Sequence, residues 1–409
     1  MSLQSIPAAS AFLSHRITAI KSSPSMAAKA LVDQLRAEGR DIIDFTIGEP
    51  DLPTPQPIVD AAIAAMRAGE TKYTGASGTP ALRNAIVTKL RRDNGLTYDA
   101  NEIVVGNGGK HIIFDALAVT LNPGDEVIIH APYWLSYPDM VKVNEGVPVI
   151  VTGSEEDAFK LLPAQLEAAI TARTKWLILN TPNNPTGTVY SEDELRALGA
   201  VLARHPHVWV MSDEIYEHFV FDGQRHVSPI AAMPSLKGRS LIINGASKGY
   251  AMTGWRIGYG AGPIALIQAI TKLISQTTTC PNAVAQAAAV AAFGGSQEAP
   301  RQAAALYEGR ARLMADLLAE AQGIAIGRPK GAFYHFPCVR DLIGKRTPEG
   351  RLLETDGDIV QYFTECAGVA TLEGSVYGVG PYLRLSFATS DAAIREGCRR
   401  LVVACNALR

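Results

Sequence analysis

Between about residues 52 and 293, short apolar runs alternate with segments whose apolar positions recur at helical spacing. The runs at 103–105, 126–130, 147–151, 176–180, 208–212 and 240–244 are predicted strands, and 81–94, 109–121, 163–170 and 192–204 predicted helices. Strands alternating with such helices imply an α/β fold, a mostly parallel sheet sandwiched by helices. Turn signals punctuate it: Asn122-Pro123-Gly124-Asp125 closes a helix, and Pro182-Asn183-Asn184-Pro185-Thr186-Gly187 follows a strand. The alanine-dominated stretch 282–293 is interrupted by Gln286 and falls short of the ~20 apolar residues of a membrane span, so it reads as a buried helix.

After Pro300 the pattern changes to long charged helices, at 301–318 and 391–408, with a few strands between them, including 382–387. That is the signature of a separate, smaller α+β domain. The charged, glycine-containing segment 344–358 reads as an exposed loop.

Composition narrows the field. The chain has 409 residues and a formal net charge of −2, which gives no electrostatic case for nucleic acid or an anionic membrane. Its five cysteines are scattered, with no C-x-x-C pair, which fits a reducing, cytoplasmic setting better than a disulfide framework or a zinc site. No acidic residue precedes Asp33, whereas His15, Arg16, Lys21 and Lys29 do. An organelle transit peptide has that character; an arm packing on a partner subunit is the preferred reading.

The candidate chemistry centres on Ser247-Lys248-Gly249-Tyr250-Ala251-Met252-Thr253-Gly254-Trp255-Arg256. A lysine in an apolar, glycine-rich setting loses its proton near neutral pH and can attack a carbonyl. Arg256 supplies a cation suited to a phosphate. Lysine plus phosphate anchor is what a pyridoxal phosphate (PLP) site requires. Ligands of open α/β sheets sit beyond the carboxyl ends of the strands, where the other candidates fall. Gly106-Asn107-Gly108-Gly109-Lys110 opens a helix and is either a plain turn or an anion site. Asp213 follows an apolar strand and could pair with a protonated pyridine nitrogen, with Tyr216 three residues on. Metal binding competes there through Glu214, Glu217 and His218, but no second histidine or cysteine stands at ligand spacing, and no metal is expected. His205-Pro206-His207 reads as a loop. Asn184 is a turn residue or a ligand contact. Arg384, between apolar neighbours on a strand, needs a partner: a structural carboxylate or a substrate's.

Together with Gly48-Glu49-Pro50-Asp51, Lys72-Tyr73-Thr74, Pro132-Tyr133-Trp134-Leu135-Ser136-Tyr137-Pro138 and Leu383-Arg384-Leu385-Ser386, these motifs closely resemble, in order from about residue 17 onward, the fold-type I PLP-dependent aminotransferases, specifically the bacterial aspartate aminotransferase group. The resemblance implies that Lys248 forms the internal aldimine and shuttles a proton. It implies that Asp213 binds the pyridine nitrogen, that Tyr216 and Asn184 contact the phenolic oxygen, and that Trp134 stacks on the ring. Arg256, the amides of Gly109 and Lys110 in the Gly108-Gly109-Lys110 turn, and Tyr73 from the neighbouring subunit would hold the phosphate. Arg384, Asn184 and the Gly48 backbone would grip the substrate α-carboxylate. A homodimer with sites at its interface is implied. So is a division into an arm and part of the small domain (1–50), a large PLP-binding domain (51–300) and the rest of the small domain (301–409).

Two departures bear on the pocket. Many relatives have Ser or Thr where Gly245 stands, and Ser247 is the expected substitute; Glu373-Gly374 stands where close relatives have Pro-Gly. Lys110, helped by Ser23 or Ser25, is the candidate for a substrate's side-chain carboxylate. The favoured activity is ping-pong transfer from L-aspartate to 2-oxoglutarate. Alternatives are an aromatic or prephenate aminotransferase and a fold-type I β-C–S lyase, in which the same carbanion expels a β-substituent. A non-catalytic PLP sensor would need a DNA-binding domain for which the chain has no spare residues, and the sequence holds no nucleotide-binding G-x-G-x-x-G unit.

Overall fold

The structure, a computed structural model, describes residues 12–409. Its strands are β1 (Ile43–Asp44), β2 (Ile103–Gly106), β3 (Glu126–Ala131), β4 (Val147–Thr152), β5 (Thr174–Asn180), β6 (Trp209–Asp213), β7 (Ser240–Gly245), β8 (Gly258–Ala261), β9 (Tyr334–His335), β10 (Val369–Ala370), β11 (Leu372–Glu373) and β12 (Leu383–Ser386). Seven of them form one sheet in the order β2-β8-β7-β6-β5-β3-β4. The pairs β3–β4, β3–β5, β5–β6 and β6–β7 are parallel, and only β8 runs against its neighbours β2 and β7. Buried positions run almost unbroken along β2, β3, β5, β6 and β7, as expected of strands covered on both faces.

The six strands read from the pattern are present, longer by one or two residues or shifted by one. β8 is an addition to them. Its sequence, Gly-Tyr-Gly-Ala, carries no apolar run, and its glycines exist for close approach. A Cβ on Gly260 would come within 2.8 Å of Ile112, and one on Gly258 within 2.2 Å of the Gly109 amide. The helix expected at 282–293 is Ala283–Gly294, buried against the helix Gln56–Arg67.

A second core gathers both ends of the chain. β1 pairs in parallel with β10, while β12 pairs with β9 and β11. Phe45 packs in the same cluster as Tyr307, Phe333, Leu385 and Leu401. Tyr216, Phe219 and Phe221, just after β6, also belong to it, so the segment carrying Asp213 passes straight into the second core. The helix expected from residue 301 begins at Glu298, with Pro300 in the first turn where no N–H is needed. The last helix ends at Asn406.

One expectation is corrected. The segment 344–358 is not simply an exposed loop: Leu353 and Thr347 are buried, and a helix capped by Thr355 starts at Asp356, whose carboxylate accepts the Ser375 N–H. Of the N-terminal arm, residues 1–11 lie outside the described residues, and His15–Thr18 is exposed. The helix Pro24–Ala37, however, is fixed to this chain's own core through Val32 and Leu35, which cluster with Ile42 and Ala370. Among the described residues no helix is long and apolar enough to cross a membrane.

Candidate active site

The carboxyl ends of β5, β6 and β7 open into a cavity of about 280 Å³. Of the thirteen site residues expected from sequence, eleven line it: Gly48, Gly109, Lys110, Trp134, Asn184, Asp213, Tyr216, Ser247, Lys248, Arg256 and Arg384. Gly108 is not among the lining residues but lies against Arg256, which is. Tyr73 is 87% exposed and does not reach this chain's cavity.

Lys248 lies just past β7, its amine donating to the Gly48 carbonyl at 2.5 Å. Burial pushes its pKa from 10.5 down to about 8; Glu49 opposes the shift, and Arg384 and Arg256 add to it. An amine so placed is substantially neutral just above physiological pH, as a nucleophile or proton carrier requires. Asp213, the last residue of β6, accepts from the Tyr137 hydroxyl at 2.6 Å and from the Ile215 N–H at 3.3 Å. Burial raises its pKa to about 6, against those two hydrogen bonds, so it stays mostly ionised at neutral pH.

The anion cradle is built by close approach. The helix Gly109–Thr120 begins at the cavity wall, and its first amides have no carbonyl one turn back. A Cβ on Gly108, whose φ is +91°, would lie 2.4 Å from Arg256 Nη2. Arg256 itself adopts φ 57°, a strained left-handed conformation for a side chain of its size, fixed by its bonds to the Thr253 and Asn107 carbonyls. The Asn107 N–H donates to His111 Nδ1 at 3.1 Å. Burial lowers the His111 pKa, which keeps that nitrogen an acceptor.

Opposite this cradle, Arg384 on β12 is 3% exposed, donates to the Thr46 carbonyl and to Asn184 Oδ1, and leaves Nε without a partner. No carboxylate of the chain pairs with it among the described residues. That argues against the structural salt bridge, because a buried guanidinium keeps its charge and needs an anion. Lys110 Nζ sits 4.7 Å from the Trp134 ring centre, and Ser25 lines the same wall. Ser23 instead stands at the N-terminus of the helix Pro24–Ala37.

Gly245 has no room for a side chain, since a Cβ would meet the Ile257 carbonyl at 2.7 Å; Ser247 lines the cavity. At Gly374, Cβ would meet the Val379 carbonyl at 2.6 Å, and the turn that follows buries Tyr377 under Arg384. The acidic group after β6 gathers Glu214, Glu217 and His226 rather than His218. The Lys89 ammonium already pairs with Glu217, and His226 with Glu214 at 2.7 Å. His205 and His207 turn to Glu167 and to the Thr171 carbonyl. Sequence reasoning did not single out Tyr137, Thr46 or Tyr334, all of which line the cavity.

The fold and the site define an aminotransferase of the fold-type I class. Residues 40–401 match the family described as aminotransferase class I and II, and the chain belongs to that family. It is 47% identical to the probable aspartate/prephenate aminotransferase of Rhizobium leguminosarum bv. phaseoli, over 98% of this chain and all of the relative. The crystal structure of the Rhizobium meliloti aspartate aminotransferase matches with a TM-score of 0.95 at 44% identity, over 97% of this chain and 99% of that one. The Thermus thermophilus aspartate aminotransferase with maleate matches with a TM-score of 0.89 at 39% identity, over 96% and 99%.

Proposed function

We propose that the chain is a PLP-dependent aspartate aminotransferase, moving the amino group of L-aspartate to 2-oxoglutarate by a ping-pong mechanism. The observation that carries this is the convergence, in one cavity, of a lysine with its pKa near 8, a buried aspartate and a buried arginine lacking a carboxylate partner. The donor set fits PLP: amides and a guanidinium for the phosphate, Asp213 for the pyridine nitrogen, Asn184 and Tyr216 for the phenolic oxygen, and Trp134 for the ring. When bound, that cofactor supplies an electron sink for the charge left at Cα. Arg384 fixes the substrate α-carboxylate, with Asn184 and the Gly48 backbone beside it. Lys248 Nζ, whose pKa near 8 brings the neutral amine within reach just above physiological pH, takes and returns the Cα proton. The Tyr137 hydroxyl bond keeps Asp213 oriented toward the ring. Lys110, with Ser25 at hand, reads the distal carboxylate. The maleate that accompanies the Thermus thermophilus enzyme, and the aspartate in the relatives' names, support a dicarboxylate.

The name of the Rhizobium leguminosarum relative supports prephenate as a second oxo-acid substrate. We further propose a homodimer in which Tyr73, exposed on this chain, completes the partner's phosphate site. A cytoplasmic setting is consistent with five free cysteines.

The test is the absorption spectrum of the PLP-loaded protein before and after L-aspartate is added without an oxo acid. Loss of the visible cofactor band, restored by 2-oxoglutarate, is expected, and so is its absence in Lys248→Ala. A band indifferent to aspartate would refute the substrate; no band at all would refute the cofactor.

A further inference from the structure

Four side chains from four parts of the chain form a closed circuit in the cavity wall. Arg384 Nη1 donates to Asn184 Oδ1 at 3.3 Å, and Asn184 Nδ2 donates to the Tyr216 hydroxyl at 3.5 Å. The Tyr216 and Tyr334 hydroxyls are 2.9 Å apart, and the Arg384 guanidinium lies 4.5 Å from the Tyr334 ring centre. Guanidinium groups only donate, so Asn184 must turn its oxygen to Arg384 and its N–H groups to Tyr216. Among the described residues, Tyr216 is the only hydrogen-bond partner of the buried Tyr334 hydroxyl. Either hydroxyl of the pair could donate, and the Arg384 guanidinium over the Tyr334 ring makes that phenol the stronger donor, so Tyr334 is assigned as the donor. The Tyr216 oxygen then receives two hydrogens, and its own hydrogen has to point away from both.

We propose that Tyr334 is a positioning residue: by donating to Tyr216, it aims the Tyr216 hydrogen into the cavity, at the cofactor's phenolic oxygen. The inference rests on the PLP reading above and extends it. Acidity agrees with the direction. Burial lifts both phenols, but Tyr216 goes well above the ordinary tyrosine value, while Arg384 over its ring holds Tyr334 back. Gly48 completes the packing, since a Cβ there would come within 3.2 Å of the Tyr334 oxygen. The same residue thus braces Arg384 with its ring and directs Tyr216 with its hydroxyl.

Tyr334→Phe keeps the ring over Arg384 and removes only the O–H. The readout is the pH midpoint of the visible band of the PLP-loaded protein, titrated without substrate. A hydrogen bond to the phenolic oxygen draws charge from it and lowers the proton affinity of the adjacent nitrogen, so a loosened donor raises the midpoint. The other charged groups acting on Lys248 are Glu49, Asp213, Arg256 and Arg384, and all are retained. The expected shift is upward by about half a pH unit in Tyr334→Phe, the scale of one neutral hydrogen bond. It is larger in Tyr216→Phe, with no further rise in the double variant. An unmoved midpoint in Tyr334→Phe, or full additivity in the double variant, overturns the inference alone. A wild-type protein that takes up no PLP overturns the reading beneath it as well.

Discussion

Replacing Lys248 by Met should stabilise the protein free of cofactor. Methionine keeps the length and apolar stem of lysine but carries no charge to desolvate. The native fold holds the Lys248 pKa near 8 against an ordinary 10.5, which means that burying its ammonium form costs stability. Folded and unfolded chains bind the same number of protons at this site below about pH 8 and above about pH 10.5. Between those values the unfolded chain holds more, so stability rises with pH. The cost is therefore fully present at pH 7 and gone above pH 10.5. At ~1.36 kcal/mol per pH unit it is at most about 3 kcal/mol.

The assay is urea unfolding of the cofactor-free wild type and Lys248→Met at pH 7, 8.5 and 10, at one fixed protein concentration, because assembly also contributes to apparent stability. The variant should be more stable by about 1–3 kcal/mol at pH 7, and the gap should shrink to below about 1 kcal/mol at pH 10. A variant no more stable than wild type at pH 7, or a gap independent of pH, would refute the claim that the site stores the cost of a desolvated ammonium.

Lys110→Ala should lose most of the preference for aspartate over monocarboxylic amino acids while retaining the visible cofactor band; an unchanged ratio of kcat/KM values would remove Lys110 from side-chain recognition. Gly108→Ala puts a methyl 2.4 Å from Arg256 Nη2 at a φ of +91°. It should weaken PLP binding at least tenfold by equilibrium titration, and wild-type affinity would show that Arg256 does not need that approach.

What the sequence revealed of this site, and what it hid, follows from the range of the interactions. Asp213, Lys248 and the Gly108-Gly109 turn each sit at the end of an apolar run, where local pattern marks the carboxyl edge of the sheet. Arg384 was legible because a charge amid apolar neighbours on a strand demands a partner; its contacts, Thr46 and Asn184, lie 338 and 200 residues away. Tyr334 was not legible. It stands on a two-residue strand, and nothing local separates it from an ordinary core tyrosine until Tyr216 is brought against it. Tyr137 falls within a recognisable motif, but its role depends on reaching Asp213 across 76 residues. β8 escaped for the opposite reason: its glycines resemble a turn and are there to admit neighbours.

The pairing of β1 with β10 has a consequence for how the molecule comes into being. Ile43 meets Val369, so the strand leading to Thr46 and Gly48 has no partner until nearly the whole chain has been made. At ~5–20 residues per second, that wait lasts tens of seconds on the ribosome. The large sheet, whose last strand ends at Ala261, can close much earlier. Lys248 and Asp213 are thus in place while Arg384 is still unmade and Gly48, already made, is not yet held in position. The nascent protein acquires its reactive amine first and its grip on substrate last, so catalytic competence is a terminal event of folding.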